Sequence, residues 1–204
     1  MIGIVVAVAV FGYLLGSIPP GLIIGRMKGV DLRQYGSGRT GATNTLRTMG
    51  WQASAIVMIA DILKGVLPVL LARLTPYAEV GAITGALAAI AGHNWSIYIG
   101  FKGGRGVSTS LGGLLAMSPV PAVLCAIAAI AVMAVSRYVS VGSILGALIA
   151  VMVIGVLVIL GLVSLYVLIY IAVATSLLIF QHRDNIERLL SGKERKIGQK
   201  AESL

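Results

Sequence analysis

Three polar insertions interrupt an otherwise apolar chain of 204 residues: Gly36-Ser37-Gly38-Arg39-Thr40-Gly41-Ala42-Thr43-Asn44, Phe101-Lys102-Gly103-Gly104-Arg105-Gly106-Val107-Ser108-Thr109 and Gln181-His182-Arg183-Asp184-Asn185. Each sets cations or free backbone N–H groups where a helix begins or ends, an arrangement suited to a phosphorylated ligand. In the first, Gly36, Gly38 and Gly41 admit positive φ so that N–H groups can converge, Thr43 or Asn44 is placed to cap the following helix, and Arg47 lies about one turn into it. The G-x-x-x-x-G-K-[ST] spacing of a nucleotide loop is absent, so the phosphate need not be a nucleotide's. In the second, Gly103, Gly104 and Gly106 lead into a short helix with Ser108, Thr109 and Ser110 in its first turn, flanked by Lys102 and Arg105. Upstream, His93 and Asn94 close an apolar segment, and His93 reads equally as a satisfied interfacial histidine or as a binding residue. In the third, His182 and Asn185 share one helical face, where the bland alternative is a solvated basic helix.

The elements that must position these groups are membrane helices. Hydrophobic residues make up 58% of the chain and charged residues 11%, and the mean hydropathy is +0.98. Charge-poor stretches cover residues 2–24, 53–71, 80–99, 107–135 and 139–180, and a helix needs ~20 residues to cross ~30 Å of hydrocarbon. The last stretch holds two spans with a turn near Gly161. The first stretch has no basic n-region and is read as a retained helix.

Cations flanking short loops stay on the cytoplasmic side. Arg26, Lys28, Arg33, Arg39 and Arg47 form one group, Lys102 and Arg105 a second, Arg137 a third, and Arg183, Arg188, Lys193, Arg195, Lys196 and Lys200 a fourth. Placing all four on one face makes the chain between Arg105 and Arg137 go out and back, turning at Ser118-Pro119-Val120-Pro121. The outward leg, residues 107–117, is then a half-helix of only ~17 Å, tolerated where protein or a polar cavity surrounds its end. The expected fold is an all-α integral membrane protein: a seven-segment transmembrane helix bundle with the N-terminus outside and the C-terminus cytoplasmic. Residues 1–185 form a single transmembrane catalytic domain and residues 186–204 a basic tail. Gly12/Gly16, Gly81/Gly85 and Gly142/Gly146 supply small faces for close helix packing.

The net charge of +9 follows from this bias and from anionic headgroups rather than from nucleic acid. The single Cys125 excludes a disulfide framework, and neither a metal site nor a cofactor is expected. Asp61 and Lys64, spaced i, i+3 inside a span, can pair, with an orienting role for the helix favoured. Ser143, at the start of the sixth span, can reach the same site. A transporter of a phosphorylated metabolite is the competing class, but paired half-sequences are absent and the polar insertions share one face.

Taken together, Gly16-Ser17-Ile18-Pro19, Gly36-Ser37-Gly38 with Gly41-Ala42-Thr43-Asn44 and Arg47, Gly92-His93-Asn94 with residues 101–107, and His182-Arg183 with Asn185-Ile186 resemble the bacterial membrane-integral acyl-phosphate:glycerol-3-phosphate acyltransferase family (PlsY). The resemblance spans nearly the whole chain. It implies transfer of a fatty acyl group from acyl phosphate, rather than acyl-CoA or acyl carrier protein, to the 1-hydroxyl of sn-glycerol 3-phosphate. The products are lysophosphatidic acid and phosphate, in the first step of phospholipid synthesis at the cytoplasmic face of the bacterial cell membrane. By the same resemblance Ser37, Gly38, Thr40, Gly41, Thr43, Asn44, Gly103, Gly104 and Gly106 cradle the acyl phosphate. Arg47, Arg105, Ser143, His182 and Asn185 match positions that bind glycerol 3-phosphate, with His182, Arg47 and Arg105 catalytic and His93, Asn94 and Lys102 in lesser roles. Either His182 or a substrate phosphate takes the hydroxyl proton, the phosphate being slightly favoured. A peripheral enzyme that makes acyl phosphate is the implied partner. Two positions depart from the family pattern: Arg39 stands where Asn is common, its contact being ligand or headgroup, and Arg105 stands where Lys is common, replacing a point charge by a planar fork.

Overall fold

The computed structural model describes residues 2–199 and 201, so Lys200 and the outer ends of the ranges 1–185 and 186–204 lie outside the described residues. The regular elements among the described residues are all helices, with an isolated bridge pairing Ser96 and Lys102. Its helices are α1 (Ile2–Ser17), α2 (Pro20–Met27), α3 (Ala42–Met49), α4 (Trp51–Arg73), α5 (Ala78–Asn94), α6 (Val107–Met117), α7 (Pro119–Ser136), α8 (Val139–Ile159), α9 (Leu165–Gln181) and α10 (Arg183–Leu190), with 3-10 turns at Leu32–Gln34 and Ile97–Ile99.

The breaks fall where backbone chemistry demands them. Proline at the first position of α2 and of α7 lacks an N–H that the helix start leaves unbonded anyway, so each proline opens a helix and closes the one before it. Ser118 alone separates α6 from α7, and Gly161, at φ +71°, turns the chain between α8 and α9. Both turns lie where the sequence places them.

By length and composition Ile2–Met27, Trp51–Arg73, Pro119–Ser136 and Val139–Ile159 can each cross a bilayer. The apolar α9 is followed after a 56° bend by the polar α10, and α6 is a short apolar helix of 11 residues. Val135 and Ile159 are 88% and 85% exposed, an outer surface made for lipid rather than water.

Inside, α1 and α4 pack on α5, α6 on α4, and α8 on α7 and α9. Gly12 and Gly16 let α1 approach α5 so closely that a Cβ on either would overlap the carbonyls of Gly85 and Ala89; Gly142 and Gly146 do the same for α8 against Met133 and Ala129 of α7. The core holds Val69, Ala86, Ile90, Ile154 and Tyr170. It leaves the three insertions to meet at one end of the bundle.

Candidate functional site

The first insertion is organised by one carboxamide. Asn44 is 3% exposed; its Oδ1 accepts the Ser37 N–H at 3.1 Å, and its Nδ2 donates to the carbonyls of Leu32, Tyr35 and Arg39 at 2.9 to 3.1 Å. Gly36 and Gly38 take φ of +60° and +65°, whereas Gly41 sits at −83° as the N-cap of α3, which no side chain caps. The expected cap by Thr43 or Asn44 is therefore corrected. Both lie inside the helix, because an amide that satisfies several loop carbonyls at once gains more than one that meets a single N–H. Thr40 is buried, and Ser37, Gly38, Gly41 and Thr43 are half-buried around the turn.

In the second insertion the chain reverses through Gly100 and Phe101, and the Gly104 N–H donates to the His93 carbonyl at 3.0 Å. No side chain fits here: a Cβ on Gly103 would overlap that carbonyl, and one on Gly104 the His93 ring at Nε2. Gly106, at φ +78°, opens α6. Arg105 lies between these glycines with its Nε buried and without a hydrogen-bond partner. Burial, with Arg39 and Arg188 nearby, pulls its guanidinium down to about 10, still charged at neutral pH.

Behind this turn the expected Asp61–Lys64 pair is present, with Lys64 Nζ 2.9 Å from Asp61 Oδ1, and it extends to His93, whose Nδ1 lies 3.3 Å from the same oxygen. His93 is thus held from behind and packs on Gly104. Asn94 is 2% exposed with neither amide atom partnered, while Lys102 is exposed and stays apart from the buried groups.

In the third insertion His182 is 2% exposed at the α9–α10 bend, its Nδ1 2.8 Å from the Leu178 carbonyl. That acceptor assigns the proton to Nδ1 and leaves Nε2 with a lone pair. Burial and then Arg105 push the imidazole down to about 4, so it is neutral at pH 7. Asn185 Nδ2 donates to Glu194 Oε1 at 2.7 Å, and Ser140 Oγ and Arg188 Nε donate to the same carboxylate, each at 2.9 Å. Burial raises the Glu194 carboxyl pKa, but these donors outweigh it and leave the group below the ordinary carboxylate value. Ser143 is buried one turn beyond Ser140, its Oγ donating to the Val139 carbonyl.

Arg39 ties the three insertions together, donating to Gly104 O, Gln181 Oε1 and Asp184 Oδ2 at 3.2 to 3.4 Å. All three of these contacts are with protein groups. Arg47 is half-buried; burial and then Arg195 lower its pKa, and its Nη2 donates to the Arg195 carbonyl. Among the described residues, Arg39, Arg47, Arg105, Arg188 and Arg195 face the acidic groups Glu194 and Asp184, a cluster in which arginines outnumber carboxylates.

Sequence reading gave no site role to Glu194, Arg188 or Gln181. Glu194 sits among Lys193, Arg195 and Lys196 and reads as part of a solvated tail. The one signal was Gly192, which at φ +69° ends α10 and turns residues 193–199 back toward Arg137 and Arg47.

The glycerol-3-phosphate acyltransferase family model matches residues 6–192. The glycerol-3-phosphate acyltransferase of Clostridioides difficile (strain 630) is 44% identical over 205 residues, covering 97% of each chain, and that of Halalkalibacterium halodurans is 46% identical over 195 residues, covering 94% of each. Among solved structures, PlsY, an integral membrane glycerol 3-phosphate acyltransferase, superposes with a TM-score of 0.86 in its glycerol 3-phosphate form, at 39% identity over 95% of this chain and 96% of that one. Its lysophosphatidic acid form superposes with 0.85 at 38% identity over 96% of both. These likenesses favour the acyltransferase reading over the transporter. With all three insertions inside the matched region and the helical frame shared from end to end, the chain belongs to the glycerol-3-phosphate acyltransferase family.

Proposed function

We propose that this acyltransferase takes its acyl group from acyl phosphate and passes it to the 1-hydroxyl of sn-glycerol 3-phosphate, releasing lysophosphatidic acid and inorganic phosphate. The observation that carries this reading is Arg105, a half-buried arginine whose Nε is fully buried and unpartnered at the start of α6. Such a group is costly until an anion joins it. Phosphate esters and acyl phosphates both supply one.

The turn holding Ser37, Gly38, Thr40, Gly41 and Thr43, shaped by Asn44, offers backbone N–H groups to the acyl phosphate, and Gly103, Gly104 and Gly106 offer a second set at the α6 N-terminus. Arg47, Arg105, Ser143, His182 and Asn185 hold glycerol 3-phosphate. His93 supports Gly104 from behind, Asn94 presents its free carboxamide beside Gly106, and Lys102 attracts anions from the rim.

The acceptor hydroxyl oxygen attacks the acyl carbon, the bond from that carbon to the phosphate oxygen breaks, and phosphate leaves with the electron pair. His182 Nε2 accepts a hydrogen bond from the hydroxyl and orients it. The proton passes to a substrate phosphate oxygen, because a histidine held at about 4 is a weaker base than a phosphate with a second pKa of ~6. Developing charge on the carbonyl oxygen meets N–H donors and guanidinium groups already in place.

The N-terminus lies outside, seven segments enter the membrane, and the site and C-terminus face the cytoplasm of a bacterial cell. The meeting of the basic loops at one end of the bundle supports this. Residues 1–185 act as one catalytic domain, onto which the described part of the 186–204 tail, residues 186–199, folds through Glu194. A peripheral enzyme that makes acyl phosphate would deliver it to this face.

The test is purified protein given palmitoyl phosphate with and without glycerol 3-phosphate. Phosphate and lysophosphatidic acid are expected in equal amounts only with both substrates. Equal phosphate release without the acceptor, or none with it, would overturn the reading.

A further inference from the structure

The end of the bundle away from the three insertions holds an open cavity of about 310 Å³, lined where the α4–α5 turn, the α6–α7 junction at Ser118 and the α8–α9 turn meet. That is the lower end of the roughly 300 to 1,000 Å³ of sites that take small organic molecules. Among its lining residues Val69, Ala82 and Val167 are buried, whereas Arg73, Glu79 and Ser164 are exposed.

Arg73 and Glu79 are the charged residues of this end among the described residues, since Lys64 and Asp61 pair with one another inside α4. Both line the one cavity, yet they form no ion pair with each other. Separate anchors hold them apart: the Arg73 guanidinium donates to the Ala116 carbonyl near the end of α6, and Glu79 Oε1 accepts the Ser164 hydroxyl at 3.0 Å. Each anchor uses only part of what a guanidinium can donate or a carboxylate accept. A lone anion in the cavity would be repelled by Glu79 and a lone cation by Arg73, whereas a zwitterion satisfies both. Around it the surface is that of a membrane interface, with Leu74, Leu162 and Leu165 84%, 70% and 58% exposed and Tyr166 beside them.

We propose that this cavity binds the phosphoethanolamine headgroup of a membrane phospholipid, with the phosphate on Arg73, the ammonium on Glu79 and the acyl chains over the exposed leucines. The headgroup carries its two opposite charges on either side of a short ethylene link, and its ammonium donates N–H bonds to a carboxylate, which the trimethylammonium of a choline headgroup cannot do. The site stands apart from acyl transfer and does not depend on that reading. Both charges also suit the helix ends that carry them, Arg73 in the last turn of α4 and Glu79 in the first of α5, but that role is blind to which lipid is present.

The test is native mass spectrometry of the protein released from micelles that contain equal amounts of phosphatidylethanolamine, phosphatidylglycerol and phosphatidylcholine with the same acyl chains. The wild type should retain phosphatidylethanolamine roughly fivefold over either of the others, the scale of one interfacial ion pair. Glu79→Gln should bring the ethanolamine-to-glycerol ratio close to one, and Arg73→Leu should lower retained phosphatidylethanolamine roughly fivefold. Helix content by circular dichroism should match the wild type in both, which separates lost binding from lost fold. Soluble phosphoethanolamine should leave the bound lipid in place, because it lacks the chains that rest on the leucines. A wild type that retains the three lipids equally would overturn the proposal without any variant. So would a folded Glu79→Gln with the wild-type ratio, a folded Arg73→Leu with wild-type retention, or displacement of the lipid by soluble phosphoethanolamine, which would make this a site for a free zwitterion.

Discussion

Arg105→Met should make the ligand-free protein more stable and nearly abolish catalysis. Methionine keeps most of the length and apolar stem of arginine while removing a charge that lies buried beside other guanidinium groups. Burial and the neighbouring cations pull the Arg105 guanidinium down to about 10, a shift that corresponds to about 3 kcal/mol at ~1.4 kcal/mol per unit. Some of this is recovered by relaxation and water, leaving about 1 to 3 kcal/mol of relief, or a Tm gain of roughly 2 to 12 °C for a chain of this size. The same substitution deletes charge-assisted hydrogen bonds to phosphate worth about 1.5 to 3 kcal/mol each, so kcat/KM for glycerol 3-phosphate should fall roughly 100-fold. The assays are thermal unfolding in detergent with and without inorganic phosphate, and steady-state transfer. Phosphate should raise Tm for the wild type and barely for the variant. A ligand-free variant that melts below the wild type, or a kcat/KM within threefold of it, would refute the argument that Arg105 is a strained charge held for an anion.

Gly104→Ala puts a methyl against the His93 ring, so it should cost more than tenfold in kcat/KM while helix content by circular dichroism stays the same; near-normal turnover would show that the turn can yield. Asp61→Asn leaves Lys64 as an unpaired buried cation and should destabilise by about 3 to 5 kcal/mol, whereas Asp61→Leu with Lys64→Met should cost less than the single change; a double variant melting lower than Asp61→Asn would contradict this. His182, held at about 4 against 6.5, binds its proton more readily unfolded than folded. Its contribution is therefore complete above about pH 6.5 and shrinks as pH falls toward 4, by up to about 3 kcal/mol. The drop in Tm between pH 7 and pH 5 should be smaller in His182→Asn than in the wild type, and equal drops would exclude the shift.

The chain's own residues determined a great deal. Apolar run length and the scarcity of charge forced membrane helices, since no other open-chain structure satisfies its backbone in hydrocarbon. Proline at 119 and glycine at 161 placed two turns by local sterics alone. The glycines, arginines and histidine of the three insertions carried the family resemblance because phosphate binding needs those residue types at those spacings. What tertiary structure alone decided are the contacts between residues far apart in the chain. Arg39 became a clamp only once α9 brought Gln181 and Asp184 beside it. Asn44 proved a loop organiser and not a cap because the chain from 32 to 39 wraps around it. Glu194 could be placed only when the chain beyond Gly192 had turned back. Local rules read helices and turns because those are set within a few residues, whereas partners 65 to 145 residues apart are chosen by packing.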